Sequence, residues 1–464
     1  MLRSFRLLGA AWLLSASLDV RARADFADID AEPRHNLEDM RIRQTPNGKA
    51  PKYQELLSAA KAIHDDFIVA LRRQLHRRPE LMYREETTSE VIQSTLESLG
   101  VPYKAGWAFN TRQDKGVPGP GGYGVVAELG TGHPPCVALR SDIDALPIRE
   151  LTEVPFKSTV EGQMHACGHD GHTSMLLGAA AILKANEALL NGTVRLIFQP
   201  AEEGGAGAKR MREEGVLTRY PPAQHAFGFH LWPYLPSGVV GGKPGTMLSA
   251  SDSFTIEISG VGGHAAMPHL TVDPVFAGAQ IITSLQGIVS RETSPMSSAV
   301  VSVTMFQAGS AKNIIPKGAM LGGTIRSSTT PELNRVRDRV IQTVHGVAAA
   351  HGCNATLTFS PDNYPPTVND PELYEWVKEI AAPASSVGQV QEIEQSMAGE
   401  DFAFFGEVIP SVFLALGQGS GQYPDTNYGL HNPRFAIDES VLDTGAALHA
   451  HLAFQTLNKL AAEA

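Results

Sequence analysis

Cysteine is scarce in this sequence, which has only Cys136, Cys167 and Cys353 among its 464 residues. A small and odd number of thiols gives no disulfide framework of the kind that stabilises small secreted domains. The fold must therefore depend on a buried core, which a chain of this length can form. Because one core rarely serves so many residues, the length predicts two domains.

Positive charge is also in short supply, with 38 lysines and arginines against 49 aspartates and glutamates and a net charge of −11. A nucleic-acid-binding surface needs a basic face, so this balance argues against a nucleic acid as partner. The sequence contains no internal repeat and no low-complexity tract. Its composition, with 43% hydrophobic residues and 44 glycines, is that of a globular protein.

The apolar run near the start, from Leu7 to Leu18, is too short to span a bilayer. Arginines precede it and the small-x-small sequence Ala-Arg-Ala follows it, ending at Ala24. This three-part pattern predicts a signal peptide over residues 1–24, cleaved after Ala24, and a secreted or periplasmic protein without a membrane anchor. The alternative is an N-terminal helix of the fold. Residues 25–52 are polar and contain proline, which predicts a loosely ordered lead-in segment.

A dense group of titratable side chains lies at residues 165–173, which read His-Ala-Cys-Gly-His-Asp-Gly-His-Thr. Cys, His and Asp are the side chains that bind zinc and other first-row divalent ions. Gly168 and Gly171 allow the sharp turns that bring such side chains together. A lone thiol would be interpreted as a small core residue. The grouping of several ligand types favours a metal site instead.

Acidic and imidazole groups follow three predicted strands. Apolar runs at 136–140, 193–198 and 226–229 end in Asp142 with Asp144, in Glu202 with Glu203, and in His230. In open α/β sheets the ligand lies just beyond the carboxyl ends of the strands. The cysteine–histidine cluster begins the helix between the first two runs. This placement predicts an α/β catalytic domain with its site at that edge of the sheet.

The adjacent acids Glu202 and Glu203 suit a division of labour. One can bind a metal while the other accepts a proton from water and delivers it to a leaving amine. A solvated acidic loop is the ordinary alternative for such a pair. His230 and His431 each lie at a predicted strand-to-loop junction with a proline close behind. Each would add an imidazole nitrogen where the other ligands already are.

The pattern of the chain changes after about Met247. Helical spacing of apolar residues predicts helices at 53–81 and 88–99 in the first part. The middle part then shows a β-α-β-β-α-β order, with strands at 253–259, 299–306, 319–325 and 355–359 and helices at 274–290 and 333–350. The earlier pattern resumes near Asp370. We therefore predict a mixed-sheet α/β/α catalytic domain from residues 53–246 and 367–464, with an inserted ferredoxin-like domain at 247–366.

Several motifs together resemble the aminoacylase/carboxypeptidase family of di-metal peptidases, from about Ile63 to the C-terminus. They are His165-Ala-Cys-Gly-His-Asp-Gly-His, Arg140-Ser-Asp-Ile-Asp-Ala-Leu-Pro, Gln199-Pro-Ala-Glu-Glu, Gly263-His-Ala-Ala-Met-Pro and Leu430-His431. The Cys-Gly-His form is typical of the amidohydrolase branch, which includes hippurate hydrolases and indole-3-acetyl-amino-acid hydrolases. The resemblance implies hydrolysis of N-acyl amino acids to a carboxylic acid and a free amino acid. A carboxypeptidase, a dipeptidase, an N-acetyl-amino-acid deacetylase and a non-catalytic metal-binding protein remain alternatives.

The resemblance also implies roles for individual residues. The metal ligands would be Cys167, His169, Glu203, His230 and His431, holding two manganese or zinc ions per subunit. Glu202 would be the general base, and Asp142 would orient a ligand histidine from behind. The inserted domain would be a lid and a dimerisation surface, making the protein a homodimer.

Within that lid, the resemblance implies that His264 stabilises the oxyanion and that Asn313 and Arg326 hold the substrate carboxylate. Glu400-Asp401-Phe402 also matches a motif of the family. Chemistry alone assigns that motif no role.

Overall fold

The computed structural model describes residues 38, 40–42, 50–420, 426 and 428–463. The predicted signal peptide and most of the lead-in segment lie outside the described residues. Within the described part of the chain, no helix combines the length and the apolar character that crossing a membrane would require.

The strands of the described residues are numbered in chain order. They are β1 (Tyr103–Phe109), β2 (Gly121–Gly130), β3 (Cys136–Asp142), β4 (Thr193–Gln199), β5 (His225–Pro236), β6 (Val240–Gly242), β7 (Gly245–Leu248), β8 (Ala250–Ser259), β9 (Gly263–His264), β10 (Ala299–Ala308), β11 (Ile314–Ile315), β12 (Gly318–Ser327), β13 (Asn354–Phe359), β14 (Thr367–Asn369), β15 (Gln391–Glu392) and β16 (Ser411–Gly419).

The helices follow the same order. They are α1 (Tyr53–Ala62), α2 (Ala70–Arg77), α3 (Glu86–Ser98), α4 (His169–Ala185), α5 (Gly207–Glu213), α6 (Pro274–Gly287), α7 (Thr330–Ala350), α8 (Pro371–Ala381), α9 (Ala403–Gly406) and α10 (Leu442–Glu463).

Eight strands form one large mixed sheet in the order β1-β2-β4-β3-β5-β16-β6-β15. The central strands β4, β3, β5 and β16 are mutually parallel. The strands β1 and β2 run antiparallel to their neighbours, and β6 runs antiparallel to β16 but parallel to β15. Successive side chains of a strand point to opposite faces of the sheet and pack in two different hydrophobic cores, as Leu139 and Ala138 of β3 do. Both faces of the sheet are therefore covered, which explains why β3 and β4 are continuous apolar runs rather than alternating ones. The mixed α/β class predicted from the sequence is confirmed.

A separate four-stranded antiparallel sheet, in the order β10-β12-β8-β13, forms with α6 and α7 what we call the small domain, residues 250–359. Its elements follow the order β-α-β-β-α-β. Along β8 buried and less buried residues alternate, because one face of the sheet packs on the two helices. The small domain has its own core, formed by residues such as Ile256, Ile281, Leu321 and Val340. The rest of the described chain is called the large domain.

The predicted and observed bounds differ most in one helix and one strand. The predicted helix at 53–81 is divided by a π-helical segment, His64–Val69, which turns the consecutive residues Phe67, Ile68 and Val69 inward. The last part of this helical region, α2, ends at Arg77 because a proline follows Arg78. The strand predicted to end before His230 continues to Pro236, paired with β16. His230 therefore lies inside β5 rather than at its end.

Candidate active site

The predicted site residues of the large domain converge where the parallel strands β3 and β4 end. Asp142 is the last residue of β3, and the loop after β4 carries Glu202 and Glu203. His169 is the first residue of α4, directly after Gly168, whose φ of 95° makes the turn into the helix. His230 reaches the same place from β5.

His431 completes the group from a loop near the C-terminal helix. Its φ of 62° lies in the left-handed region, and its backbone N–H donates to the carbonyl oxygen of Ala166, 2.8 Å away. This bond fixes the loop beside Cys167. The His431 side chain is 53% exposed, whereas those of Cys167, His169 and His230 are buried. His431 therefore forms the rim of the site.

The five predicted ligands fall into two overlapping groups. Atoms of Cys167, His169 and His230 lie within 4.8 Å of one another, and so do atoms of Cys167, Glu203 and His431. Cys167 Sγ is 3.4 Å from His230 Nε2, and Glu203 Oε1 is 3.2 Å from His431 Nε2. Ligand atoms that share an ion at about 2.0–2.3 Å lie at separations of about this size.

The donor set also fits a metal in its chemistry. His169 Nε2 is buried without a hydrogen-bond partner, a costly state unless something else binds it. Burial, with the charges of Glu203 and Glu202, raises the pKa of Cys167 well above its usual value. Burial lowers the pKa of His169, but Asp142, Asp144 and Glu203 together raise it to about 10. The surroundings therefore favour added positive charge, which divalent cations would supply.

The hydrogen bond made by the other ring nitrogen sets which nitrogen of a histidine is available. His230 Nδ1 donates to the carbonyl oxygen of Leu231 at 2.7 Å, which leaves Nε2 facing Cys167. His169 Nδ1 lies within ion-pair distance of Asp144 Oδ1, at 3.3 Å, and its Nε2 lies 3.9 Å from Glu203 Oε1. Both rings are thus held so that Nε2 faces the other donors.

Asp144 and His172 are functional neighbours that sequence reasoning did not assign. The carboxylate of Asp144 accepts the backbone N–H groups of Glu202 and Glu203 at 3.0 and 2.9 Å, so it holds the acidic loop as well as His169. Asp142 is 2.6 Å from His172 Nδ1 and 3.6 Å from His169 Nε2. His172 Nε2 accepts the N–H of Leu231 at 2.9 Å, which holds β5 in place at the residue that follows His230.

Glu202 is buried and surrounded by other acids. Burial, followed by the charges of Glu400, Glu203 and Asp401, raises its pKa well above the usual value. The backbone N–H of Asp401 donates to Glu202 Oε1 at 3.3 Å. A carboxyl group held in one orientation with a raised pKa is suited to accept and return a proton near neutral pH.

The motif Glu400-Asp401, which chemistry alone could not place, lies against the buried cation Arg140. The guanidinium of Arg140 donates to Asp142 Oδ2 at 2.8 Å and to Asp401 Oδ1 at 3.0 Å, and it is 3.0 Å from Glu400 Oε1. Gln199 Nε2 donates to both oxygens of Asp401 at 2.8 and 2.9 Å. The motif thus neutralises the charge of Arg140, and it supplies the backbone N–H of Asp401 that orients Glu202.

A cavity of about 320 Å³ opens over these groups, between the large and small domains. Its lining includes Cys167, Glu202, His230 and the apolar side chains of Trp232, Leu248 and Leu430. The small domain contributes Arg326 from β12, whose guanidinium donates to the carbonyl oxygens of Asp252 and Ile325 at 3.4 and 3.0 Å. Among the described residues, no carboxylate lies within ion-pair distance of Arg326. The cavity therefore holds a cation available to an anionic ligand.

The other two predicted substrate contacts lie elsewhere. His264 pairs with Ile314 across β9 and β11, and the N–H of Ala265 donates to the backbone oxygen of Asn313 at 3.0 Å. His264 and Asn313 are thus close together, and both are exposed. Neither lines the cavity of its own chain.

The family model for Peptidase family M20/M25/M40 matches residues 138–455. IAA-amino acid hydrolase ILR1-like 4 of Arabidopsis thaliana is 41% identical over 434 residues, covering 92% of this chain and 94% of that protein. Thermostable carboxypeptidase 2 of Saccharolobus solfataricus is 38% identical over 398 residues, covering 85% and 96% of the two chains. The solved structure of the Bacillus subtilis YXEP protein, a dinuclear metal binding peptidase, matches with a TM-score of 0.68 at 36% identity, covering 86% of this chain and 99% of that one.

Proposed function

This chain belongs to peptidase family M20/M25/M40 and is a metal-dependent hydrolase of amide bonds, and from that premise we propose that it cleaves N-acyl amino acids into a carboxylic acid and a free amino acid. The observation that carries the proposal is the buried acid Glu202, which lies beside a set of metal-binding side chains in a cavity that also contains Arg326. A site that only stored metal would have no use for an additional buried acid at this position.

We assign the metal ligands to Cys167, His169, Glu203, His230 and His431, which would hold two divalent ions in each subunit. The thiolate favours zinc, whereas imidazole and carboxylate also accept manganese. Ions bound there would polarise an amide carbonyl and lower the pKa of water. Elemental analysis of the purified protein tests the stoichiometry and separates manganese from zinc.

Glu202 would act as the general base. It takes a proton from the attacking water and later delivers that proton to the nitrogen of the leaving amine. Its raised pKa supports both steps, because the carboxyl group must hold the proton between them. The N–H of Asp401 keeps one oxygen of Glu202 engaged, so that the other can face the water.

The cavity supports a substrate with one anionic and one apolar end. Arg326 can bind the carboxylate of the amino acid through its guanidinium, which has no carboxylate partner among the described residues. Trp232, Leu248 and Leu430 offer an apolar wall for the acyl group. An aromatic or indole acyl group is consistent with the name of the Arabidopsis relative.

A second candidate is a carboxypeptidase or dipeptidase, which the name of the Saccharolobus relative favours. A free carboxylate beside the scissile amide suits Arg326 equally well in that case. Rates with hippurate, indole-acetyl-amino acids, N-acetyl-amino acids and dipeptides decide between the two. Highest kcat/KM on a dipeptide would replace the acyl-amino-acid proposal, and highest kcat/KM on N-acetyl substrates would make the protein a deacetylase.

We also propose that the small domain pairs two subunits into a homodimer. The small domain exposes several large apolar side chains, namely Val261, Met267, Leu270, Phe276, Met305, Phe306 and Ile314. The strand β10 lies at an edge of its sheet, where it can pair with another strand. In a two-fold pair, His264 and Asn313 of each chain would reach the cavity of the other and complete it. Sedimentation equilibrium tests the dimer.

Finally, we propose export through the signal peptide at residues 1–24. The proposal rests on the arginines, the apolar run and the small-x-small site of the sequence. N-terminal sequencing of the mature protein tests it, and the expected first residue is Asp25. A mature chain that keeps residues 1–24 would contradict it.

A further inference from the structure

The loop from Ala201 to Ala206 carries both acids of the site in an uncommon backbone conformation. Ala201 and Ala206 have φ values of 59° and 55°, in the left-handed region that residues with a side chain rarely adopt. Such a conformation persists only where surrounding groups hold it. The groups that bind the backbone of Glu202 and Glu203 and the left-handed ends of this loop therefore determine where the two acids lie.

One hydroxyl group binds the loop at three places. The OH of Tyr364 donates to the carbonyl oxygen of Glu202 at 2.7 Å, and it accepts the N–H groups of Gly204 and Ala206, each at 3.0 Å. A hydroxyl has one proton to donate and two lone pairs to accept with, so Tyr364 uses its full capacity on this loop. The residue is 8% exposed, and its ring packs edge-on against Phe404. Tyr364 is therefore a fixed part of the site.

Tyr364 does not belong to the elements that carry the metal-binding groups. It lies in the segment through which the chain returns from β13 of the small domain to the large domain. Its backbone N–H and oxygen pair with those of Ser251 at 2.9 and 3.0 Å, and Ser251 is the second residue of β8, where the chain enters the small domain. Two residues earlier, Asp362 binds Lys209 and Arg210 of α5, the helix that follows the acidic loop. The two connections between the domains are thus tied to each other and to the loop.

We propose that Tyr364 is a positioning residue for the hydrolysis, and that its hydroxyl links the placement of the small domain to the loop that carries Glu202. This inference rests on the proposed role of Glu202 as the general base. The side chain of Tyr364 acts through the backbone of the loop and donates no proton to the substrate. Its loss should therefore slow the chemical step more than it weakens substrate binding.

The test is the Tyr364→Phe variant of the full-length metal-loaded enzyme, which keeps the ring and removes only the hydroxyl. We expect kcat to fall by about 10-fold to 100-fold, as a small misplacement of a reacting group does. KM should change by less than about 3-fold, and the metal content should match that of the wild type. A kcat within about 2-fold of the wild-type value would overturn the proposal.

Tyr83→Phe is the matched control. The OH of Tyr83 also binds this loop, but it donates only to the oxygen of Gly205 at 2.6 Å and comes from the large domain. Loss of the bond to Gly205, which involves the backbone of neither acid, should lower kcat by no more than about 3-fold. If Tyr83→Phe is as slow as Tyr364→Phe, or if lost activity in Tyr364→Phe merely follows lost metal, the specific role of Tyr364 is overturned.

Amide hydrogen exchange tests the positioning without any substrate. In Tyr364→Phe, exchange across 202–206 should be accelerated by at least about 10-fold, while exchange in α7 should stay unchanged. Accelerated exchange in a protein whose wild type hydrolyses none of the candidate amides would support the positioning and refute the proposed function. Unchanged exchange in an active enzyme would refute the positioning and leave the proposed function intact.

Discussion

The two domains place their polar residues in opposite ways. In the large domain Arg140, Asp142, Asp144 and Asp401 are buried, and they bind one another or the groups next to the site. In the small domain His264 and Asn313 are exposed and line no part of their own cavity. The large domain thus assembles its donors internally, whereas the small domain leaves these two side chains exposed at its surface.

This difference predicts how strongly substitutions in each domain change the stability of the fold. Removing one member of a buried charge network leaves its partner uncompensated, at a cost of about 3–5 kcal/mol. An exposed side chain can be removed with about 0.5 kcal/mol or less of change in stability. Substitutions in the small domain should therefore separate function from folding more cleanly than those around Arg140.

The largest expected effect is in the large domain. Glu202→Gln should lower kcat by about 10³-fold or more, because the amide cannot accept the proton from water. The metal content should stay unchanged, since Glu202 is not among the proposed ligands. Activity assays measure kcat and elemental analysis measures the metal content. The control is Glu257→Gln on the exposed face of β8. Loss of an ion in Glu202→Gln would mean that the roles of Glu202 and Glu203 are exchanged.

The second effect tests whether the small domain serves the other subunit. His264→Ala should lower kcat by about 10²-fold or more, as removal of one oxyanion donor does. Mixing it with Glu202→Gln under conditions of confirmed subunit exchange should restore activity, because one site of each mixed dimer receives no defect. Random mixing makes about half the dimers mixed, giving about a quarter of wild-type activity. Mixtures as inactive as their parents would place His264 outside the partner's site.

Arg326 should give a smaller effect, and of a different kind. Arg326→Gln should raise KM by about 10-fold to 100-fold with little change in kcat, because hydrogen bonds to a charged group contribute about 1.5–3 kcal/mol. The exposed Arg291 of the same domain provides the control substitution Arg291→Gln. An unchanged KM for every carboxylate-bearing substrate would show that Arg326 does not bind the substrate.

The smallest expected effect is a change in the chemical labelling of a cysteine rather than a change in kcat. Chelation should increase the alkylation of Cys167 by iodoacetamide about 10-fold or more, because a metal-bound thiolate is masked. Cys136 and Cys353 are both buried, in the large and small domains respectively, and they control for protection by burial alone. Equal labelling of Cys167 with and without the metal would remove it from the ligand set.

Much of the fold follows from local patterns. The strands β3 and β4 were predictable because a strand covered on both faces is a continuous apolar run. The end of β5 was not, since its pairing with β16 carries it through Trp232 and Pro233, residues that suggest a loop. Pairing with a distant strand overrides such local signals.

The site shows the same limit at finer scale. Grouped ligands such as Cys167 and His169 stand out in the sequence, and their convergence with Glu203 follows from the strand order. Asp142 and Asp144 are two residues apart at a strand end, so both point toward the site, and a repeat of acids at that spacing was the available signal. Which carboxylate oxygen meets which imidazole ring depends on the folded structure. That Asp142 orients a ligand histidine stays a prediction.

Contacts between distant segments carry no local signature at all. Asp401 meets Gln199 and Arg140 although about two hundred residues or more separate them in the chain. A buried arginine needs several acceptors, which the sequence cannot identify without the fold. The role of Glu400-Asp401 therefore became visible only in the structure.

The antiparallel pair of β7 and β14 has a consequence for redesign. Leu248 lies directly opposite Thr367 in this separate two-stranded sheet, so the chain leaves the large domain and rejoins it at neighbouring points. Joining these strands through a short turn would excise the whole insertion and leave the donors of the large domain in place, apart from the anchor that Tyr364 provides. The insertion is in this sense an exchangeable cassette: a different one spliced into the same two ends could change ligand choice and the proposed subunit pairing while the hydrolytic groups stay as they are.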